Sequence, residues 1–353
     1  MDSAWRLHIS NSAIANLDWV AGKPALLSVW LRDNRVGFYA QETGIHHTDL
    51  QFTLPAADAP ADVWSAFAAS LKAPNLTVLP HAIISGAQLW TVDDGGALMV
   101  YRGGASLSLI RPEQVTQNLT FDVTPLALVF DAASLTAVAI DRLGSVMIGT
   151  VTGSIRTVKP GFNPDADLPV RMAAAPGLTR IAISDGTHLA ILDSRGKIVA
   201  EQDLAYICGE LALFPDSKHL LTYDGDSRVI RAYSTEDLTL VGQKFTSDLL
   251  GGARKTQLIA DPPPKHAAVN ALACGPDGVF AFAVMGHVCS ATLEHLRPKP
   301  VQIHAPRPAT KPMPSESASK TAKTPVVKSA VTEDKPKPVA SAAAPKPKLP
   351  PKL

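Results

Sequence analysis

The chain has 353 residues, 46% of them hydrophobic and 18% charged. That is enough apolar material for a large core, and it excludes disorder along the whole length. The net charge of +1 conceals an asymmetry: residues 297–353 hold 12 of the 33 Lys and Arg but 3 of the 32 Asp and Glu, so this tail is +9 and everything before it −8.

Taken in chain order, the first element is a lone strand at Trp5–Ser10. It is preceded by Met1-Asp2-Ser3-Ala4, which has neither the basic nor the apolar region of a secretory signal. No uncharged apolar run approaches the ~18–20 residues that span a bilayer. A repeating pattern then begins: apolar strand, turn rich in Gly, Asp or Asn, strand, another such turn, strand. It occupies Ala25–Phe52, Gln88–Ile110, Leu135–Val158, Arg180–Ala200, His219–Phe245 and Ala267–Leu296. The flanking runs are rich in β-branched and aromatic residues, and the turn residues tolerate φ > 0 or bond their own backbone. Apolar stretches in front of the units, such as Leu126–Phe130, Val170–Ala174 and Leu211–Phe214, supply a fourth, innermost strand.

The turns between second and third strands begin at Asp33, Asp93, Asp141, Ser184, Asp224 and Met285, at intervals of 60, 48, 43, 40 and 61 residues. The middle intervals fit one four-stranded propeller blade of ~40–50 residues. Each long interval holds an insertion. One is a helix over Ala61–Ala73, where Val63, Trp64, Phe67 and Leu71 fall at helical spacing; the other is a loop from Gly251-Gly252 through Pro262-Pro263-Pro264. The last unit has three strands, and Trp5–Ser10 is the spare strand that would complete it and close the ring. The expected fold is therefore all-β: residues 1–296 as a single β-propeller of six four-stranded blades, seven being the alternative count, followed by a disordered tail over 297–353.

The turns Phe214-Pro215-Asp216-Ser217 and Cys274-Gly275-Pro276-Asp277-Gly278 resemble the Ser-Pro-Asp-Gly turn of WD40 repeats. Tyr39 before Glu42-Thr43-Gly44, and Tyr233 before Ser234-Thr235-Glu236, resemble the end of the third strand and its turn. No unit carries both Gly-His and Trp-Asp; Leu192-Asp193 comes nearest. The resemblance implies a divergent WD40-like propeller without the usual His–Asp network.

Catalytic, metal and cofactor sites are not expected. There is no Gly-x-Ser-x-Gly elbow and no phosphate loop with its Lys, and the pairs Gly103-Gly104 and Gly251-Gly252 read as turns. His46-His47 lie on a strand and point to opposite faces, leaving only His47 and Asp49 to share one. Cys208, Cys274 and Cys289 read as small buried hydrophobes. The candidate partner-binding residues are Trp64 and Phe67 on the inserted helix, and Lys335, Lys337, Lys346 and Lys348 in the polyproline-like tail. The leading expectation is a non-catalytic scaffold subunit of an intracellular protein complex. The alternatives are a ribonucleoprotein or chromatin subunit whose basic tail holds nucleic acid or another acidic surface, and a propeller enzyme or small-ligand binder.

Overall fold

The computed structural model describes residues 4–9, 14–20, 25–72, 79, 81–93, 96–111, 114, 116–165, 167–255 and 268–298. Among these, strands form six antiparallel sheets in chain order, the six blades of a propeller. Blade 1 runs Ile14–Val20, Leu26–Leu31, Arg35–Ala40 and His46–Gln51. Blade 2 has His81–Ile84, Ala87–Thr91, Leu98–Tyr101 and Ser106–Ile110, then a fifth strand, Gln117–Thr120, on its outer edge. Blades 3, 4 and 5 start from Ala127–Asp131, Arg171–Ala174 and Cys208–Leu213 and each add three strands outward.

Blade 6 closes the ring. Its strands Ala271–Cys274, Val279–Val284 and His287–Thr292 are completed by Trp5–His8 from the other end of the chain. Trp5–His8 pairs antiparallel with His287–Thr292, Trp5 opposite Ser290 and His8 opposite His287. Beyond it the short strand Arg254–Lys255 adds a parallel rung.

The core lies between blades and not within any one of them. Six apolar clusters occupy the six junctions. Trp5, Trp19 and Ala283, for example, lie where blade 6 meets blade 1, and Phe214, Tyr223 and Phe282 where blade 5 meets blade 6. The middle strands are therefore covered on both faces. Leu26–Leu31, Thr136–Ile140 and Ile181–Ser184 are buried at every position, which is why they are continuous apolar runs in the sequence. The outer strand Ile198–Asp203 instead alternates half-buried and exposed residues.

Three segments depart from the sequence reading. Gly251-Gly252 is not a turn: it is the end of a short helix, Thr246–Gly252, whose Leu249 and Leu250 fill the junction of blades 5 and 6. The added strand Gln117–Thr120 had no apolar run to announce it. Only Leu119 in it is buried, packing with the following Phe121 between blades 2 and 3. The inserted helix α1, Ala61–Ser70, ends three residues earlier than its spacing suggested. Cys208 and Cys289 are buried free thiols, and burial pushes both up to about 12. They are protonated small hydrophobes at neutral pH. Residues 299–353, with the tail lysines, lie outside the described residues.

The closing strand should carry a large share of stability. Trp5 is 1% exposed, its indole N–H donates to the Gln41 carbonyl at 2.7 Å, and its ring lies against Gly44, where a Cβ would come within 2.6 Å. Trp5→Ala should lower unfolding stability by about 3–5 kcal/mol, read from urea denaturation. The same seam makes stability depend on pH. His287 faces His8 at 4.6 Å between ring centroids; burial first, then the charges of His8 and Arg6, hold its pKa below the usual imidazole value. Its contribution is then complete above about pH 6.5 and is lost as pH falls through the lower native value. The acid-side fall in melting temperature should shrink in His287→Gln.

Candidate interaction surface

Three regions could meet a partner: the inserted helix, the central channel and the loop face over blade 3. Helix α1 begins after Pro60, and its Ala-rich sequence supports helix while Trp64, Phe67 and Ala68 fall on one side. That side is turned inward. Trp64 is 3% and Phe67 8% exposed, and both join the cluster between blades 1 and 2 with Trp30, Phe38 and Leu98. Their rings meet edge-on at 5.9 Å, and the Arg102 guanidinium lies 5.1 Å from the Trp64 ring centre. The stripe therefore attaches the helix to its own blades and leaves Val63 exposed on its outer side.

His46 and Asp49 are brought together by a feature the strand pattern did not reveal. Tyr39 pairs with His46 but Phe38 pairs with Thr48, so His47 is the extra residue of a β-bulge. The bulge puts His46, not His47, beside Asp49, with Nε2 at 3.0 Å from Oδ1. No group of three or more His, Cys, Asp or Glu converges in metal-binding geometry among the described residues.

In the channel, the innermost strands of blades 1 to 4 enclose a cavity of about 660 Å³. On one wall His81 Nδ1 lies 3.6 Å from Asp18, and the imidazole stacks on Trp90 at 5.1 Å. On another, Arg171 donates from Nε to the Gly209 carbonyl at 2.8 Å and approaches Glu210 at 3.5 Å. Burial raises the pKa of Glu210 and the Arg171 charge opposes it. These polar side chains meet in pairs across neighbouring blades.

Leaving the channel past Leu126 and Arg171, the surface continues as two joined depressions of about 510 and 380 Å³ over blade 3. Here Val123, Leu126 and Leu143 are 44%, 41% and 81% exposed. The sequence places Leu126 at a strand start and Leu143 in a turn, and assigns no role to either or to Val123. The signal was present in Asp141-Arg142-Leu143-Gly144, a tight turn with a leucine at its tip.

In blade 5 a polar chain ties strands together. Tyr206 hydroxyl meets Thr222 at 2.6 Å and Tyr233 at 3.1 Å, and Arg231 lies 4.1 Å over the Tyr206 ring while donating to Asp224 at 2.9 Å. Burial raises the Tyr206 pKa, so the phenol stays a neutral donor.

No protein-family model matches this sequence, and no curated protein is similar to it in sequence. Solved structures are similar in fold. A chain of the crystal structure of the mitotic checkpoint complex is 13% identical with a TM-score of 0.47, covering 81% of this chain and 94% of that one. Raptor from Chaetomium thermophilum is 7% identical with a TM-score of 0.53, covering 82% of this chain and 29% of that one. The match thus spans under a third of the Raptor chain, and at this identity it speaks to fold alone. Among the described residues the chain folds as a six-bladed β-propeller. No helix among the described residues is long and apolar enough to cross a membrane.

The inward stripe of α1 has a direct test. Trp64→Ala should destabilise the fold by about 3–5 kcal/mol in thermal or urea unfolding. A Trp64 that served only as an outward docking residue would leave stability unchanged.

Proposed function

We propose that this propeller is a non-catalytic scaffold that joins other protein subunits in an intracellular complex. The observation that carries this reading is the gathering of exposed Val123, Leu126 and Leu143 on one stretch of a rigid loop face. Exposed apolar side chains scattered singly need no explanation, whereas a contiguous group beside a groove marks a contact surface. Two further features agree with it. In the channel Arg171 of blade 4 is bonded to the Gly209 carbonyl and faces Glu210 of blade 5, which links the two blades. Cys208 and Cys289 are free thiols, in keeping with a reducing compartment.

The test is affinity capture with quantitative mass spectrometry, run on the full chain and on residues 1–298. Both should retain the same protein subunits in stoichiometric amounts. Loss of the partner on removing residues 299–353, or capture of nucleic acid in its place, would move recognition from the ring to the basic tail.

A further inference from the structure

The loop at the tip of blade 3 holds a leucine in water where its local chemistry does not require one. Asp141 is 7% exposed, and its Oδ1 accepts from the Leu143 and Ser145 backbone N–H groups, each at 2.8 Å. The Gly144 N–H donates to the Asp141 carbonyl at 3.2 Å. Gly144 sits at φ +72° against the Phe162 carbonyl, which a Cβ would approach to 2.0 Å. The turn is thus pinned from within and from below, leaving Arg142 and Leu143 outside.

Blade 4 contains the same turn built from Asp193-Ser194-Arg195-Gly196. Asp193 Oδ1 accepts from Arg195 and Lys197 N–H, both at 2.9 Å, and Gly196 has φ +75°. Its residue at the position of Leu143 is Arg195. The turn geometry therefore accepts a charged side chain, and the leucine at 81% exposure has no intramolecular reason.

Beside Leu143 the two joined depressions share Leu126 and Arg142. The other charged side chains of their walls have hydrogen-bond partners. Asp141 serves its own turn, Asp165 accepts from the Asp167 N–H at 3.0 Å, and Arg171 is held by Gly209 and Glu210. Among the described residues, Arg142 is the charged side chain of this groove that forms no hydrogen bond or ion pair.

Building on the scaffold reading, we propose that this groove docks an extended peptide segment of a partner protein: an apolar side chain seats against Leu126 and Leu143, and a neighbouring carboxylate pairs with Arg142. Charge selects this occupant. The chain's own residues 297–353 are +9, with Glu333 and Asp334 as their one acidic pair, so nearly all of that length would bring like charge to Arg142. A second copy using the same patch about a two-fold axis would set Arg142 near Arg142. An acidic-apolar peptide satisfies both the exposed leucine and the unpaired guanidinium, and the pinned turn spares it the entropy of ordering the site.

The probe is a displayed library of random peptides selected on the immobilised full chain. Enriched peptides should place Asp or Glu within a few residues of Leu, Ile, Met or Phe. Synthesised, they should bind at least tenfold more weakly to Leu143→Arg, the residue that the blade 4 turn already carries, and to Arg142→Glu. Exchange of the peptide's acidic residue for Lys should restore binding to Arg142→Glu. Unchanged melting temperatures would show that both variants remain folded. The proposal is overturned if enriched peptides lack acidic residues, or if they bind the variants as tightly as the wild type. Capture of the same stoichiometric partner by Leu143→Arg would sink this groove and leave the scaffold reading standing.

Discussion

Everything in this molecule depends on one strand pairing between the two ends of the ring, Trp5–His8 against His287–Thr292. No blade has a core of its own, because each apolar cluster is assembled from two neighbours. Five of the six junctions lie between consecutive blades, and the sixth is complete only when the first and last blades meet. The closing strand puts Trp5 and Leu7 into the junction with blade 1, where Trp19 rests on Gly275 so closely that a Cβ there would lie 2.8 Å from the indole. Long-range closure of this kind makes the whole ring one cooperative unit, because opening one junction exposes apolar surface on both of its walls.

Rigidity at the junctions is passed to the loops through carboxylates. Asp141, Asp193 and Asp224 each accept backbone N–H groups within their own turns, so that the tips hold a fixed shape without packing of their own. A face made of such tips is a set of preorganised side chains. Residues at the tips are then free of structural duty, and departures from polar chemistry there carry information about contacts. Leu143 is such a departure; Arg195 on the matching turn is the polar default.

The blade count, the closing strand and the inserted helix were legible because each rests on local chemistry repeated at a fixed interval. Turn residues that tolerate φ > 0, such as those at Asn34, Gly144 and Asp277, fall between runs buried on both faces. Features that depend on tertiary context were not legible. The outer strand Gln117–Thr120 buries a single side chain, so nothing in its composition separates it from loop. A bulge adds one residue and reverses which histidine meets Asp49, and strand alternation gives no warning of it. The stripe of Trp64 and Phe67 reads the same whether it faces its own blades or a partner, and only packing decides between them. The exposed group of Val123, Leu126 and Leu143 joins residues from two separate connections, a convergence that exists only in the folded ring.

The most direct test of this account is hydrogen exchange of the native full-length protein, followed at the amides of Trp5–His8 and of the central strands Thr136–Ile140 and Ile181–Ser184. If the N-terminal strand closes the ring into one cooperative unit, its amides exchange as slowly as those central strands and lose protection with them in a single transition as denaturant is added. Fast exchange at Trp5–His8 while the central strands stay protected would contradict it, showing a ring that holds without its closing strand.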